Sequence, residues 1–485
     1  MLQTLLRSLL TAGLLLQSLL APARANNINL PDLGDESAAV ISPAQERKLG
    51  EDFMRQARQS LAFLDDPEIN DYIQTLGLKL VSHSAATQKE FRFFVINDPT
   101  INAFAVPGGF VGVHTGLILA AQSEAELASV LAHETTHVIQ RHIPRMIAES
   151  QRLNTQALAA VLASILLASS GRGQGAEAGI ALTSAAVTQK GLNYSRALEE
   201  EADRLGMGIL AGAGFDPHAM PAFFEHMQSL NRLNESNLPE FLRTHPVTTN
   251  RIADARNRAE QLTYRQTPES SEFHHVRAKL RALAADNPAE IARGFKENLA
   301  QGKYRDADAE RYGYALALLR SRQFAEARDE GRKLAERRPN KNAYRVLQAE
   351  IEMAAGKTGE ALAVYASAYK KAPNDPVLRR AYAEALLKTG QAREAKVLIK
   401  AAVQQQPDDP ALYKMLAQAA GDAGVPLEAH QAMAEHYHLN GNPKAALDQL
   451  QLAVRLAGDN FYLQSSLEAR IVTIKEEMIP SQGKK

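Results

Sequence analysis

Apolar residues recur every three or four positions in several stretches of the first half of the chain, which is the spacing of one buried face on a helix. One stretch begins at Ser42 and carries Leu49, Phe53 and Ala57 at intervals of four residues. Residues 67–81 repeat the pattern. The sequence therefore predicts two amphipathic helices in this part of the chain.

Two other stretches are dense in β-branched and aromatic residues, which favour strands. Residues 91–96 predict one strand, and residues 102–113 predict two more around a turn at Pro107-Gly108-Gly109. A proline within such a run favours the edge of a sheet. An edge strand can pair with the backbone of an extended peptide, or it can belong to a plain structural hairpin.

From about residue 265 the pattern changes to alanine-rich amphipathic helices joined by short turns. Three sets of positions recur at one constant interval, namely Pro339, Pro373 and Pro407; Ala315, Ala349, Ala383 and Ala417; and Ala327, Ala361, Ala395 and Ala429. This interval, about 34 residues, is typical of tetratricopeptide repeats, which stack into a superhelix whose curved surface binds peptides or partner proteins. We therefore expect an all-α repeat domain at residues 265–485, preceded by a separate domain at residues 26–264.

A further apolar segment, residues 153–190, is divided into two arms by a glycine-rich break at residues 171–175. Each arm is too short to span a bilayer. The segment is compatible with core packing, with a helical hairpin that covers a functional site and with peripheral contact with a membrane surface.

Residues 1–25 match a secretory signal peptide. Arg7 precedes an apolar core at residues 9–20, and the Ala-Arg-Ala sequence at residues 23–25 is a cleavage site. The core is too short to span a bilayer, and the alternative is a retained N-terminal anchor. We expect cleavage after Ala25 and export, to the periplasm if the source is a Gram-negative bacterium.

Composition narrows the classes of function. Lys plus Arg and Asp plus Glu each number 55, so no basic excess indicates a nucleic-acid partner. The chain contains no cysteine, so it forms no disulfide and any zinc site must use His and carboxylate ligands.

A candidate metal site lies in a helical run that begins at Ser123, with Glu126 as the second residue of a predicted capping box. The run contains His133-Glu134-x-x-His137, which places both imidazoles on one helix face, one turn apart. Zinc suits two neutral imidazoles, and Glu134 is placed to take a proton from water rather than to bind metal. The alternative is two surface histidines, and a third ligand would distinguish the two interpretations.

Residues 195–206 supply candidates for that third ligand. Glu199 and Asp203 lie four residues apart on one face of a predicted helix, whereas Glu200 and Glu201 point elsewhere. Spacing alone does not decide which of the three glutamates binds metal.

Three motifs together resemble the zinc metallopeptidase family of the CAAX-protease and HtpX type. They are His133-Glu134-x-x-His137, Ser195-Arg196-x-x-Glu199-x-x-Ala202-Asp203 and Asn102-Ala103-Phe104-Ala105. The resemblance implies an α+β zincin-like (gluzincin) metallopeptidase domain, which the tetratricopeptide-repeat superhelix follows.

The same resemblance implies one zinc ion (Zn2+) per chain, with His133, His137 and Glu199 as its ligands and Glu134 as a catalytic base. Asp203 would be a second catalytic acid, either as a proton donor or as the group that orients a zinc-binding histidine. An edge strand beside the metal helix of such peptidases pairs with substrate, and the residues concerned here would be Asn102, Ala103 and Phe104.

Downstream, His245-Pro246 and Arg251 resemble a segment that this family places close to the zinc. His245 would stabilise a developing oxyanion or fill the fourth zinc position at rest, unless it only precedes the helix after Pro246. Arg251 would pair with a carboxylate of the site or simply lie on that helix. His142, five residues after His137, is expected on the surface, away from the metal.

The signal peptide, peptidase motifs and repeats in one chain resemble exported bacterial proteases of outer-membrane protein assembly. This implies a periplasmic zinc metalloendopeptidase and chaperone that degrades misfolded or stalled β-barrel proteins. Its partners would be unfolded or misassembled outer-membrane proteins and, through the repeats, the β-barrel assembly machinery. The competing hypothesis is a non-catalytic periplasmic chaperone or adaptor, against which the intact Glu134 and its neighbouring ligands argue.

Overall fold

The computed structural model describes residues 41–86, 90–149, 163, 165–166, 185–233, 239–263, 270–284 and 286–478. The predicted signal peptide lies outside these residues, and so does most of the apolar segment at residues 153–190. Within the described residues, no helix combines the length and apolarity needed to cross a membrane.

The first half of the chain combines a small sheet with helices. Its strands are β1 (Arg92–Ile96), β2 (Ala103–Val106) and β3 (Phe110–His114). Its helices are α1 (Pro43–Ser60), α2 (Pro67–Val81), α3 (Thr115–Ala120), α4 (Glu124–Ile139), α5 (His142–Glu149), α6 (Ala185–Gly212), α7 (Ala219–Leu233), α8 (Glu240–Thr244) and α9 (Thr249–Gln261). The two helices and three strands that the apolar pattern predicts are present.

Strand β3 lies in the middle of the sheet, parallel to β1 and antiparallel to β2. In the pairing of β2 with β3, Ala103 lies opposite Val113. The turn between them uses Gly108 and Gly109 at φ values of 85° and 94°, a left-handed region that favours glycine. Among the described strands, β2 therefore forms an edge of the sheet, as predicted.

Helix α4 is the central helix of the core. It packs against α2, α6, α7 and β2, and its Leu127 and Leu131 side chains are buried. Ser123 caps the helix by accepting a hydrogen bond from the backbone N–H of Glu126. The Glu126 side chain accepts from the N–H of Gln122 rather than from that of Ser123, so only half of the predicted capping box forms. Polar side chains in the middle of this enclosed helix need polar partners.

In the second half, the described residues form helices only. They are α10 (Ser271–Ala284), α11 (Pro288–Gln301), α12 (Ala307–Arg320), α13 (Phe324–Arg337), α14 (Asn342–Ala354), α15 (Thr358–Lys371), α16 (Pro376–Lys388), α17 (Ala392–Gln405), α18 (Pro410–Asp422), α19 (Pro426–Leu439), α20 (Pro443–Leu456) and α21 (Phe461–Met478). Gly356, Gly390 and Gly424 recur at the predicted repeat interval in the turns between paired helices, at φ values of 78°, 78° and 75°. This regular helix–turn–helix spacing confirms the predicted repeat architecture.

The repeat array packs against the first half of the chain, where α16 contacts α2 and α19 contacts α1. Arg58 of α1 donates hydrogen bonds to the carbonyl oxygens of Leu439 and Asp408, at 2.9 and 2.8 Å. A Cβ added to Gly441 would lie 2.7 Å from the carbonyl oxygen of Arg55, so the turn approaches α1 closely. The array thus lies against the first two helices rather than extending away from them.

Helix α10 connects the two halves. Phe273 and Leu280 belong to the buried cluster that also contains Leu131 of α4, and Ala282 belongs to the buried cluster of the first repeats. One helix therefore contributes to both cores. The boundary after residue 264 stays a prediction, and this packing suggests a test of it.

A chain that ends at residue 284 should melt at a higher temperature than one that ends at residue 264, because it keeps Phe273 and Leu280 in the core. Loss of a fully buried Phe side chain alone costs about 3–5 kcal/mol, and Phe273 is 0% exposed. Thermal melts followed by circular dichroism compare the two chains. Equal melting temperatures would mean that the first folded unit is complete at residue 264.

Candidate metal centre

Helix α4 presents two imidazoles to one point. His133 and His137 lie one turn apart, and their Nε2 atoms are 3.0 Å from each other. His133 is buried and His137 is half-buried. Convergence of two imidazole nitrogens is what a shared metal ion requires.

Two further groups reach the same point from other elements. On α6, Glu199 places one carboxylate oxygen 3.4 Å from Nε2 of His133 and the other 3.4 Å from Nε2 of His137. His245, which follows α8, places Nδ1 3.0 Å from the Glu199 carboxylate. Ligand atoms of all four residues lie within 4.8 Å of one another. Imidazole nitrogens and a carboxylate oxygen are the donor types that zinc accepts, so the cluster fits a zinc ion.

Gly206 allows α6 to lie close to α4. A Cβ added there would lie 3.2 Å from the Ala132 carbonyl oxygen and from the Cα atom of His133, which is tighter than ordinary contact. A side chain at this position would push the helix that carries Glu199 away from the helix that carries the imidazoles.

Glu134 is buried beside the cluster, with 1% of its surface exposed. Neither of its carboxylate oxygens makes a hydrogen bond within the described residues, although Nε2 of His245 lies 3.3 Å from Oε1. A buried carboxylate without a partner is costly. This side chain is therefore available to a water molecule or a substrate group at the cluster.

Asp203, one turn after Glu199 on α6, lies behind His133. Its Oδ1 is 2.9 Å from Nδ1 of His133, and Arg251 donates two hydrogen bonds to the same carboxylate at 2.7 and 2.8 Å. Burial raises the pKa of Asp203, but the bonds from His133 and Arg251 outweigh burial and hold the pKa below its ordinary value. Asp203 is therefore ionised and accepts the Nδ1–H of His133, which leaves Nε2 free to bind metal.

Comparison with known proteins identifies the family to which the chain belongs. The profile of peptidase family M48 matches residues 67–259, and a tetratricopeptide-repeat profile matches residues 352–419. The β-barrel assembly-enhancing protease of Escherichia coli (strain K12) is 36% identical over 343 residues, which are 70% of this chain and 70% of that protein. The chain belongs to peptidase family M48. The predicted fold class, the family resemblance and the zinc-dependent endopeptidase activity are thereby confirmed.

Two other relatives show how the similarity is distributed. The putative β-barrel assembly-enhancing protease of Vibrio cholerae is 39% identical over 331 residues, 67% of each chain. The mitochondrial metalloendopeptidase OMA1 of Arabidopsis thaliana is 31% identical over 219 residues, 44% of this chain and 41% of that protein. The similarity to OMA1 thus covers a smaller share of this M48 peptidase than does the similarity to the bacterial proteins.

The structure separates the three glutamates that sequence spacing leaves open. Glu199 faces the imidazoles, Glu200 is exposed, and Glu201 accepts a hydrogen bond from Arg145 at 2.9 Å. Arg251 pairs with the carboxylate of Asp203, which agrees with the first of the two alternatives for this residue, contact with a site carboxylate rather than a position on the helix alone. The assignment of metal ligands itself stays a prediction.

The predicted substrate-strand residues lie on or directly before β2, which packs against α4. Asn102 and Phe104 are buried, and Asn102 Oδ1 has no hydrogen-bond partner among the described residues. Phe104 packs edge-to-face with Phe53 and Phe94, at centroid distances of 6.2 and 5.8 Å. Side-chain packing therefore fixes this strand beside the metal helix.

The expected surface position of His142 is wrong. It is 2% exposed, and its Nδ1 lies 2.8 Å from Nδ1 of His137. The helical projection fails because α4 ends at Ile139 and Arg141 adopts a left-handed φ of 53°, so the chain turns before His142. The spacing of five residues between His137 and His142 does not predict such a turn.

Replacement of Arg251 by Met should destabilise the zinc-free chain by about 3–5 kcal/mol, because it leaves the buried Asp203 carboxylate without its cation. The matched control is Arg256→Met on the same helix, whose exposed pair with Glu225 is worth less than about 1 kcal/mol. Denaturant unfolding of both variants measures the difference. If the two losses of stability are equal, Arg251 does not hold the Asp203 charge.

Proposed function

We propose that this M48 peptidase hydrolyses peptide bonds at a zinc ion held by His133, His137 and Glu199, with Glu134 as the general base. The observation that supports this most is the convergence of four donor atoms within 4.8 Å, beside a buried carboxylate that has no hydrogen-bond partner among the described residues. A cluster that served only stability would pair that carboxylate. The absence of a hydrogen bond to it among the described residues therefore favours a role toward water and substrate.

Bound zinc supplies Lewis acidity, which polarises a carbonyl group and lowers the pKa of water. The Glu134 carboxylate takes a proton from the attacking water and delivers it to the leaving amine nitrogen. Of the two roles open to Asp203, we propose orientation of His133, because its oxygens are engaged by His133 and Arg251 and it carries no proton to donate.

We propose that the substrate backbone pairs with the free edge of β2. The carbonyl of Asn102 accepts from the N–H of His114 on β3, whereas the carbonyl of Ile101 accepts from Phe241 on the other side. Backbone groups alternate in direction along an antiparallel strand. The N–H and C=O groups of Ala103 and Ala105 therefore face away from β3, toward an added strand.

We propose that His245 is a fourth ligand at rest. Its Nδ1 lies 3.0 Å from Glu199 and 3.3 Å from Nε2 of His133, while its Nε2 lies 3.3 Å from Glu134. One imidazole thus contacts both the ligand cluster and the proposed base. Occupation of the fourth position by this ring would exclude the water that hydrolysis needs.

We propose export to the periplasm with cleavage after Ala25, and action on unfolded or misassembled outer-membrane proteins together with the β-barrel assembly machinery. The bacterial relatives, which are named for β-barrel assembly, support this role. Between the array and the peptidase half lies a cavity of about 470 Å³, lined by Arg92 and Phe94 on one side and by Arg380 and Gln405 on the other. We assign client segments to this cavity. Peripheral membrane contact by residues 153–190 stays a prediction.

Glu134→Gln should retain one zinc per chain while casein hydrolysis falls by about 10²–10⁴-fold, because the general base is lost and the ligands are not. His133→Ala should lose both zinc and activity. Metal analysis and a casein assay on the same samples measure the two properties. Full activity in Glu134→Gln, or stoichiometric zinc in His133→Ala, contradicts the proposed roles.

His245→Ala should raise the basal rate of casein cleavage at equal zinc occupancy, because the fourth position is then open to water. His226→Ala, on α7 and near Glu126 of the same metal helix, is the matched control and should leave the rate unchanged. A fall of about 10²–10³-fold would instead assign His245 to the oxyanion. An unchanged rate would remove it from the site.

A photocrosslinking residue at Gln405 should capture outer-membrane protein precursors in an inactive Glu134→Gln background, because Gln405 lines the cavity. Val397, on the same helix and 66% exposed, is the control position and does not line the cavity. Equal capture at both positions would show that clients do not enter between array and peptidase.

A further inference from the structure

The imidazole of His142 lies behind His137, on the side away from the metal cluster. Nδ1 of His142 is 2.8 Å from Nδ1 of His137, and the two rings are nearly perpendicular, at 84° with centroids 4.7 Å apart. His142 belongs to neither the ligand cluster nor the proposed catalytic groups. Its burial at 2% exposure is therefore not explained by the chemistry described so far.

The contact defines where the protons lie. A hydrogen bond between two ring nitrogens needs one N–H donor and one acceptor. His137 directs Nε2 at the cluster, so its Nδ1 carries the proton, and Nδ1 of His142 accepts it. The proton of His142 is then on Nε2, which lies 3.4 Å from a carboxylate oxygen of Glu201. Arg145 donates to that same oxygen at 2.9 Å and holds the carboxylate in place.

We propose that His142 is a positioning residue of the zinc site: it accepts the Nδ1–H of His137 and thereby fixes the tautomer and orientation of that ligand. Asp203 does the same for His133, so each of the two imidazole ligands on α4 has its own acceptor. The inference rests on the proposed function, in which His137 binds zinc through Nε2. Groups that accept the outer N–H of a ligand histidine commonly change metal affinity by about 10–100-fold when they are lost.

The two acceptors differ in charge. Glu134, Glu199 and Asp203 are already buried within this site, and a fourth carboxylate behind His137 would add to their mutual repulsion in a medium of low polarity. A neutral imidazole accepts the same hydrogen bond without adding charge. The negative charge of Glu201 lies on the far side of His142 from His137, where the guanidinium of Arg145 offsets it.

The left-handed residue Arg141 makes this arrangement possible. Its φ of 53° ends the helical path, and its side chain donates to Glu46 of α1 and to the carbonyl oxygen of Ile41, two residues before α1. The chain then enters α5 with His142 directed back at His137. A residue that continued α4 would project elsewhere.

Two substitutions distinguish a role of His142 as hydrogen-bond acceptor from a role in packing alone. His142→Asn keeps an acceptor at the position of Nδ1, whereas His142→Leu fills a similar volume without one. In the full chain, zinc affinity is measured by competition with a chelator, and the visible spectrum of the cobalt-substituted protein reports the geometry of the ligands. We expect His142→Leu to bind zinc about 10–100-fold more weakly, with an altered cobalt spectrum. His142→Asn should stay close to the wild type in both measurements.

His226→Leu controls for the loss of another histidine that packs near α4, although His226 is half-buried, and should leave both measurements unchanged. Wild-type affinity in His142→Leu, or equal losses in the Leu and Asn variants, overturns the acceptor role. If His142→Leu does not fold, His142→Gln replaces it, because its amide lies one bond beyond the Nδ1 position. Equal affinities of the Asn and Gln variants then overturn the inference. A wild-type chain that binds no zinc at this cluster would reject the proposed function itself, whatever the His142 variants do.

Discussion

Helix α6 lies against α4 with Gly206 at the close approach, and this packing sets the distance from Glu199 to the two imidazoles. The same packing buries Glu134, Glu199 and Asp203 around a small space. Like charges in such surroundings repel strongly unless cations offset them. Arg251 offsets Asp203, and burial of Glu199 is outweighed by His245 and His133, which hold the pKa of its carboxyl well below the usual range. A divalent cation held at the cluster would offset the remaining negative charge.

The repeat array packs directly against the peptidase half of the chain. Helix α10 contributes to both cores, and Arg58 joins α1 to the end of α19 and to the turn before α18. At the other end of α1, Glu46 pairs with Arg141, the residue that ends the metal helix. Helix α1 is therefore one connection between the array and helix α4, beside those through α2 and α10.

Local patterns in the sequence predict much of this structure. Short-range spacing places His133 and His137 on one face, and the constant interval between equivalent positions predicts the repeats, because both features depend on the geometry of a single helix or helix pair. The proposed third ligand is different, since Glu199 and Glu201 are distinguished only by how α6 is rotated against α4. The position of His142 depends on the left-handed backbone conformation of Arg141, and an arginine in the sequence does not predict that conformation. The return of the array onto α1 depends on contacts between residues far apart in the sequence, which periodicity does not encode.

The central claim is that one zinc ion binds at the point where α4 and α6 meet. Anomalous X-ray diffraction at the zinc absorption edge, from crystals of the zinc-loaded full chain, tests it directly. The account predicts one peak about 2.0–2.2 Å from Nε2 of His133, Nε2 of His137 and a carboxylate oxygen of Glu199. A zinc peak away from these atoms, or a zinc ion that contacts Glu201 instead of Glu199, would contradict it.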